Sequence, residues 1–342
     1  MLKTLQFIHK RFFYCIILSY AIAGLLPQCG LWIRGVDFGR FVFFDGSTVK
    51  ISMPLLMLSA LLFNAGLGIN KGEMRNLLKN PKLLVYGLAA NLVIPIGFTF
   101  FISTLMRFWH NPDEVQNILV GLALIASMPI AASSTAWAQK SNGNLALSLG
   151  LVLFSTLLSP VTTPFGLHAI GLMANGDYAD DLHEIAGQGT GAFLFISVLL
   201  PTSLGVLSHF ILPEKAAKTI KKPIKDINLV NLLLLNYANA SLVLPQVLVE
   251  PDWDFLIAIS IITGSLCVFA FLSGSFIAKL QDSTPSDKSS LMFGLGMNNN
   301  GTGLVLASLS LSDHPTVMLP IICYNLIQHL VAAYVDSRLV NK

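Results

Sequence analysis

Long apolar runs separated by short polar ones divide this chain. Windows of about 20 apolar residues fall at 12–33, 52–69, 83–106, 118–139, 145–173, 191–212, 227–248, 254–279, 290–309 and 315–335. Ten spans are predicted, and two of them are interrupted near their centres. In residues 291–308, LMFGLGMNNNGTGLVLAS, the apolar pattern gives way to Asn298, Asn299 and Asn300, followed by Gly301 and Gly303. Neighbours on a helix point about 100° apart, so three consecutive carboxamides cannot share one face. Each Gly weakens a helix by roughly 1 kcal/mol relative to Ala. In residues 117–139, NILVGLALIASMPIAASSTAWAQ, Pro129 removes a helix hydrogen bond and clashes with the turn before it. Ser133 or Ser134 is suited to cap a restarted helix. Backbone groups freed in hydrocarbon need cover from protein or water, so both segments predict half-helices meeting at a polar site near the bilayer midplane.

The two breaks lie about half a chain length apart. Ten spans divide five and five, and a unit with an odd number of spans starts its second copy from the opposite side. The expected fold is all-α and polytopic, with ten transmembrane helices in two inverted five-helix repeats and spans 4 and 9 discontinuous. The first repeat covers 1–174, a polar, Gly-rich external linker 175–190, and the second repeat 191–342. The segment KRFFYCIILSYAIAG at the first span also fits a signal peptide. Five spans per half favours retaining it.

Charge sharpens this picture. Charged residues make up 11% and hydrophobic ones 54% of the 342 residues, against a usual charged share of roughly 25%. All but four of the 21 Lys and Arg fall on one side of the predicted spans, the exceptions being Arg34, Arg40, Lys50 and Arg107. The positive-inside rule then puts 70–82 and 213–226 in the cytoplasm, 174–190 outside, and both termini inside, in a multi-pass protein of the cell membrane. The net charge of +3 comes from short loops facing lipid headgroups and points to no nucleic acid. Cys15, Cys29, Cys267 and Cys323 have no paired spacing and read as packing residues.

The candidate chemistry is that of a binding site, not of catalysis. No phosphate-binding loop, nucleophile elbow or HExxH is present, so an enzyme has little support, and no cofactor is expected. No acidic or basic residue is well inside a span, and proton-coupled carriers usually keep one there. His168, His209 and His329 are the titratable groups available, with Asn325 one turn before His329. Ser148, Val152, Ser155 and Ser159 share one helical face, with Ser148 nearest the first break. Asn228, Asn231 and Asn239 share another, with Asn236 at its edge, which suggests a wetted wall. The two half-helix starts at Ser133–Thr135 and Asn299–Gly301 each offer unpaired N–H groups and about half a positive charge, a setting for an anion. Ser133, Thr135, Asn239, Asn299, Asn300 and Asn325 are therefore the substrate-binding candidates. Ser134 and Asn299 are expected to approach each other across the two breaks. Nothing in the pattern sets an oligomeric state.

Three stretches carry a family resemblance: GLGIN with KNPKLL at 66–84, SMPIAASSTAWAQKSNGNLALSLGLVLFSTLLSPVTTP at 127–164, and GLGMNNNGTGLVLAS at 294–308. They resemble the bile acid:sodium symporter family over roughly residues 60–340. The resemblance implies that spans 4 and 9 cross at their breaks in a core built from spans 3–5 and 8–10. Spans 1, 2, 6 and 7 would form a panel beside it, and sodium-coupled uptake of an organic anion would proceed by alternating access. It also implies sodium ligands. The family's Ser and Asn in the first crossing helix fall on Ser134 and Thr135, and its Ser and Thr in the fifth span on Ser148 and Val152. Its Glu in the second crossing helix falls on Gly294, and the following Met, Gln and Asn on Met297, Asn298 and Asn299. The chain thus lacks a carboxylate and a hydroxyl of the first sodium site, leaving Ser134, Ser148, Met297 and Asn298 as sodium candidates. An exporter or uniporter of a neutral or oxyanion solute, sodium-independent or proton-linked, is the alternative within transport. A membrane sensor would call for a large output domain, and the longest predicted inside loop is short.

Overall fold

The computed structural model describes residues 12–42, 48–68, 81–174, 177–211, 214–311 and 313–340. Helices dominate. They are α1 (Phe12–Leu25), α2 (Gln28–Gly35), α3 (Met53–Leu67), α4 (Lys82–Leu105), α5 (Pro112–Ser127), α6 (Ser133–Lys140), α7 (Leu145–Gly171) and α8 (Asp177–Glu184). There follow α9 (Thr190–Ile211), with a π-turn inside it at Phe195–Leu199, α10 (Glu214–Ala240) and α11 (Leu244–Val249). The chain ends with α12 (Trp253–Leu280), α13 (Pro285–Gly296), α14 (Asn300–Ser310) and α15 (Met318–Val340).

Among the described residues, five helices are long and apolar enough to cross a membrane: Lys82–Phe108, Leu145–Gly171, Thr190–Ile211, Trp253–Leu280 and Pro315–Leu339. A sixth crossing is available if α1 and α2, bent by 92° at Leu26–Pro27, count as one. The outward faces of these helices are apolar. Val85, Phe100 and Phe101 of α4 and Ile261, Leu272 and Phe276 of α12 are all exposed, a pattern that suits lipid and would be a liability in water.

Two stretches differ from expectation. The all-α expectation fails at Asp37–Val42 and Thr48–Ser52, which form an antiparallel β-hairpin (β1, β2). The alternation in DFGRFV and TVKIS suits strands better than a loop. Lys50 pairs with Asp37 at 3.5 Å, and the Gly39 amide donates to Asp37 Oδ1. That hydrogen bond, aided by Lys50, holds the Asp37 carboxyl below its usual range. The predicted linker is not a loop either, since α8 occupies Asp177–Glu184 and helix resumes through to Thr190. Leu182 and Ile185, three apart, give that segment a buried face. His183 Nδ1 lies 2.9 Å from His168 Nδ1 on α7.

The chain divides into two compact units. One comprises Met1–Ile69, Ala192–Asp252 and Leu304–Met318. In it α3 crosses α9 closely, because Gly66 and Gly205 each face the other helix's backbone where a Cβ would collide. The α10 helix packs on α1, α2 and α3, and Asn231 donates to Met57 O at 2.8 Å. The other unit comprises Asn70–Gly191, Trp253–Gly303 and Leu319–Lys342. Its core runs through Leu84, Ile130, Leu147, Leu151 and Leu291, with Val152 packed against them.

Candidate functional site

The second unit holds both helix breaks, and they pair with each other. Helix α5 ends at Ser127, after which Met128 is extended (φ −78°, ψ 146°). Helix α13 ends at Gly296, and Met297 is extended as well (φ −128°, ψ 106°). Pro129 prevents continuation of the first helix; the carboxamide run and its flanking glycines weaken the second. The two extended pieces form a one-residue antiparallel bridge, Ile130 to Asn298. Ala131 N donates to Met297 O, and Asn299 N donates to Pro129 O, both at 2.8 Å. Each break thereby satisfies orphan groups of the other, as a water-poor setting demands. The pairing runs through backbone and not through the Ser134 and Asn299 side chains. Asn299 Oδ1 instead accepts from Thr302 N and caps α14.

Long helices supply the remaining partners. From α7, Ser155 Oγ accepts from Ile130 N at 3.0 Å, and Thr163 Oγ1 donates to Ser127 O at 2.6 Å. From α15, Gln328 Oε1 accepts from Asn298 N at 3.0 Å, while Tyr324 OH donates to Gly296 O at 3.3 Å. Gln328 Nε2 also donates to Asn325 Oδ1, and Asn298 Nδ2 donates to Ile125 O at 2.9 Å. Gln328 and Tyr324 escaped the sequence reading. Their signal was polar side chains four residues apart on one face of an otherwise apolar span.

Helix α6 starts without a side-chain cap. Its N-cap is Ala132, so neither Ser133 nor Ser134 plays the capping part expected of them. Ser134 already lies within the first turn, its N–H bonded to Ala131 O. Thr135 Oγ1 accepts from Ser148 Oγ at 3.2 Å, which joins a substrate candidate to a sodium candidate. Trp137 stacks on Phe293 of α13 with ring centroids 6.2 Å apart. The far end of α6 is anchored by Lys140 and Ser141 to buried Asp336 of α15, at 2.6 and 2.7 Å.

Several buried polar atoms at the pairing have no protein partner: Ser134 Oγ, Asn298 Oδ1, both side-chain ends of Asn300, and Thr302 Oγ1. All are neutral. Neutral oxygens left unpaired in a dry site can take the place of a monovalent cation's water or hold a polar solute. Gly294 belongs to this environment. A Cβ there would stand 2.9 Å from Leu151 Cδ1, so apolar side chain fills the direction in which an acid would grow. Beside the first break a cavity of about 30 Å³, room for about one water, is lined by Asn91, Ser127, Pro129, Ser155 and Thr162. Asn91 Oδ1 and Ser127 Oγ have no protein partner.

Asn239 belongs to the first unit. It is fully buried there, and its Oδ1 accepts from Arg34 Nη1 at 3.1 Å. Arg34 was counted in the sequence only as a loop charge. His329, also on α15, is buried.

Across 92% of both chains this one is 24% identical to a Bacillus subtilis (strain 168) protein named as an uncharacterised sodium-dependent transporter, YocS. It is 25% identical over 265 residues to a protein of Oryza sativa subsp. japonica named as a probable chloroplastic sodium/metabolite cotransporter, covering 77% of this chain and 58% of that one. A match to the family model described as Sodium Bile acid symporter family extends over residues 55–250. With more than half its length matched, the chain belongs to the sodium bile acid symporter family, a family of sodium-dependent transporters, and is a multi-pass membrane protein.

Proposed function

We propose that this protein carries a small or amphipathic organic anion across the cell membrane by alternating access, with sodium as the coupling ion. The observation that carries this is the paired breaks, whose buried oxygens on Ser134, Asn298, Asn300 and Thr302 are left without protein partners. Ten spans in two inverted repeats would supply the moving parts, with the unit of spans 3–5 and 8–10 as core and that of spans 1, 2, 6 and 7 as panel. Both termini are cytoplasmic in this scheme. A cysteine placed at Asp180 should label from outside intact cells and one at Ala217 should not; the opposite pattern reverses the orientation.

The neutral character of the site sets the coupling. A carboxylate near 4 Å would contribute on the order of 4 kcal/mol to cation binding at an effective dielectric of 20, before its own desolvation. Without one, sodium alone binds weakly at the Met297–Asn298 end, and an anionic solute restores the missing charge. One sodium per cycle is expected, and each ligand raises the other's affinity by the same factor. Thermal unfolding of the purified protein with organic anions, with and without sodium, tests this. Stabilisation by an anion only when sodium is present supports symport. Stabilisation indifferent to sodium, which Gly294 packed against Leu151 would favour, indicates the sodium-independent carrier instead.

A further inference from the structure

The first unit contains a positive charge with no acidic partner among the described residues. Arg34 lies in the last turn of α2 and is partly buried. Its Nη1 donates to Asn239 Oδ1 at 3.1 Å and its Nη2 to Ser308 O at 2.9 Å. Both acceptors are uncharged. A guanidinium has five N–H donors, so three are unspent. Asn239 is fully buried, and its Nδ2 has no acceptor. An unpaired cation next to apolar surroundings is unfavourable, and so is a buried amide donor without an acceptor.

The surrounding wall cannot relieve either deficit. Tyr237 OH already donates to Leu26 O at 2.5 Å, and Ser241 Oγ to Tyr237 O at 2.8 Å. Gly30 brings the α2 backbone so close to Ser241 that no side chain would fit between. What remains, among the described residues, is a corner offering one full positive charge and several N–H donors beyond the two that Asn239 Oδ1 and Ser308 O accept. Carboxylates and sulfonates have the planar or trigonal oxygen array that guanidinium binds through two parallel hydrogen bonds.

We propose that Arg34 and Asn239 bind the acid group of the transported organic anion, Arg34 through its free N–H groups and Asn239 through Nδ2. This rests on the organic-anion reading above and adds to it the group that selects charge. It also separates the tasks: acid recognition in the first unit, cation recognition at the paired breaks in the second.

The test is thermal unfolding of the purified full-length protein in sodium buffer, titrated with cholate, octanoate and the amide of each. The acids should stabilise wild type at concentrations roughly 10- to 100-fold lower than the amides, the usual weight of charge-assisted hydrogen bonds. Arg34→Gln should erase the distinction between acid and amide. Asn239→Asp places a carboxylate against Arg34 within the protein, so it should fold and lose acid binding by a similar factor. Acids that stabilise wild type and both variants equally would overturn the role of Arg34 and Asn239 while leaving the organic-anion reading intact. Acids that leave wild type unaffected would remove that reading and this inference together. Stabilisation by phosphatidylglycerol in place of the acids, lost in Arg34→Gln, would assign the corner to lipid and overturn the proposal.

Discussion

The two breaks are served in the same way by different chemistry. In each, the next long helix in the chain reaches back to the interrupted backbone. Helix α7 does so with hydroxyls, Ser155 on Ile130 N and Thr163 on Ser127 O. Helix α15 uses a carboxamide and a phenol, Gln328 on Asn298 N and Tyr324 on Gly296 O. The short hydroxyls leave a small cavity with Asn91 Oδ1 and Ser127 Oγ unpaired beside the first break, and α6 begins uncapped. The longer groups reach further. Gln328 also engages Asn325, Asn298 reaches across to Ile125 O, and Asn299 caps α14. By its backbone partners the second break is the fixed member of the pair, although Asn298 Oδ1, both ends of Asn300 and Thr302 Oγ1 stay unpaired there, and the first has a cavity beside it.

That asymmetry can be broken experimentally. The largest effect should come from Gln328→Leu, which strips the buried Asn298 N–H of its acceptor and removes the amide that donates to Asn325 Oδ1. Transport in proteoliposomes should fall about a hundredfold or more, while the protein still inserts and purifies, since an orphaned buried group costs only about 1–3 kcal/mol of stability. Transport within a few-fold of wild type would show that the second break is not the fixed one.

An intermediate effect is expected on restoring the acid. Gly294→Glu with Leu151→Ala removes the 2.9 Å obstruction and should raise sodium affinity about tenfold without any anion, a fraction of the full Coulomb term once desolvation is counted. Calorimetry of sodium binding measures it, and unchanged affinity would place the cation elsewhere. The smallest effect is assigned to Ser155→Ala. It should lower stability by about 1–3 kcal/mol and change transport by roughly threefold at most, because the adjoining cavity can admit a water to Ile130 N. A loss as large as that of Gln328→Leu would make the two breaks equivalent.

Much of the helical pattern was legible because it depends on local chemistry. Pro129 and the run Asn298–Asn300 announce interruptions whatever surrounds them, and both occur. What partners them was not legible, because the partner is chosen by packing. Ser155 and Ser159 share one helical stripe, yet only Ser155 meets a break amide; Ser159 turns back on Thr156 O. Ser133 and Ser134 are good cap residues by type, but the chain enters α6 through Ala132, and the Ser134 and Thr135 amides turn back on Ala131 O and Ala132 O. The strand pairing of Asp37–Val42 with Thr48–Ser52 was not legible, because it is a contact between two short segments lying between apolar windows. Arg34 was counted and not placed: a charge tally gives it a side of the membrane but not the neutral company it keeps.

The reach of these partners along the chain also fixes when each can act. Ser155 lies 25 residues from Ile130, whereas Ile125 O waits for Asn298, 173 residues later. At synthesis rates of about 5–20 residues per second, that interval is roughly 10–35 s. During it the first break is already made and its cross-chain partners do not yet exist. The hydroxyl of Ser155 is then a nearby acceptor for Ile130 N, available about a second or a few after the break emerges. An early, local cover that later becomes one bond among several lets half of a crossed-helix site wait in a nascent chain for the half it will pair with.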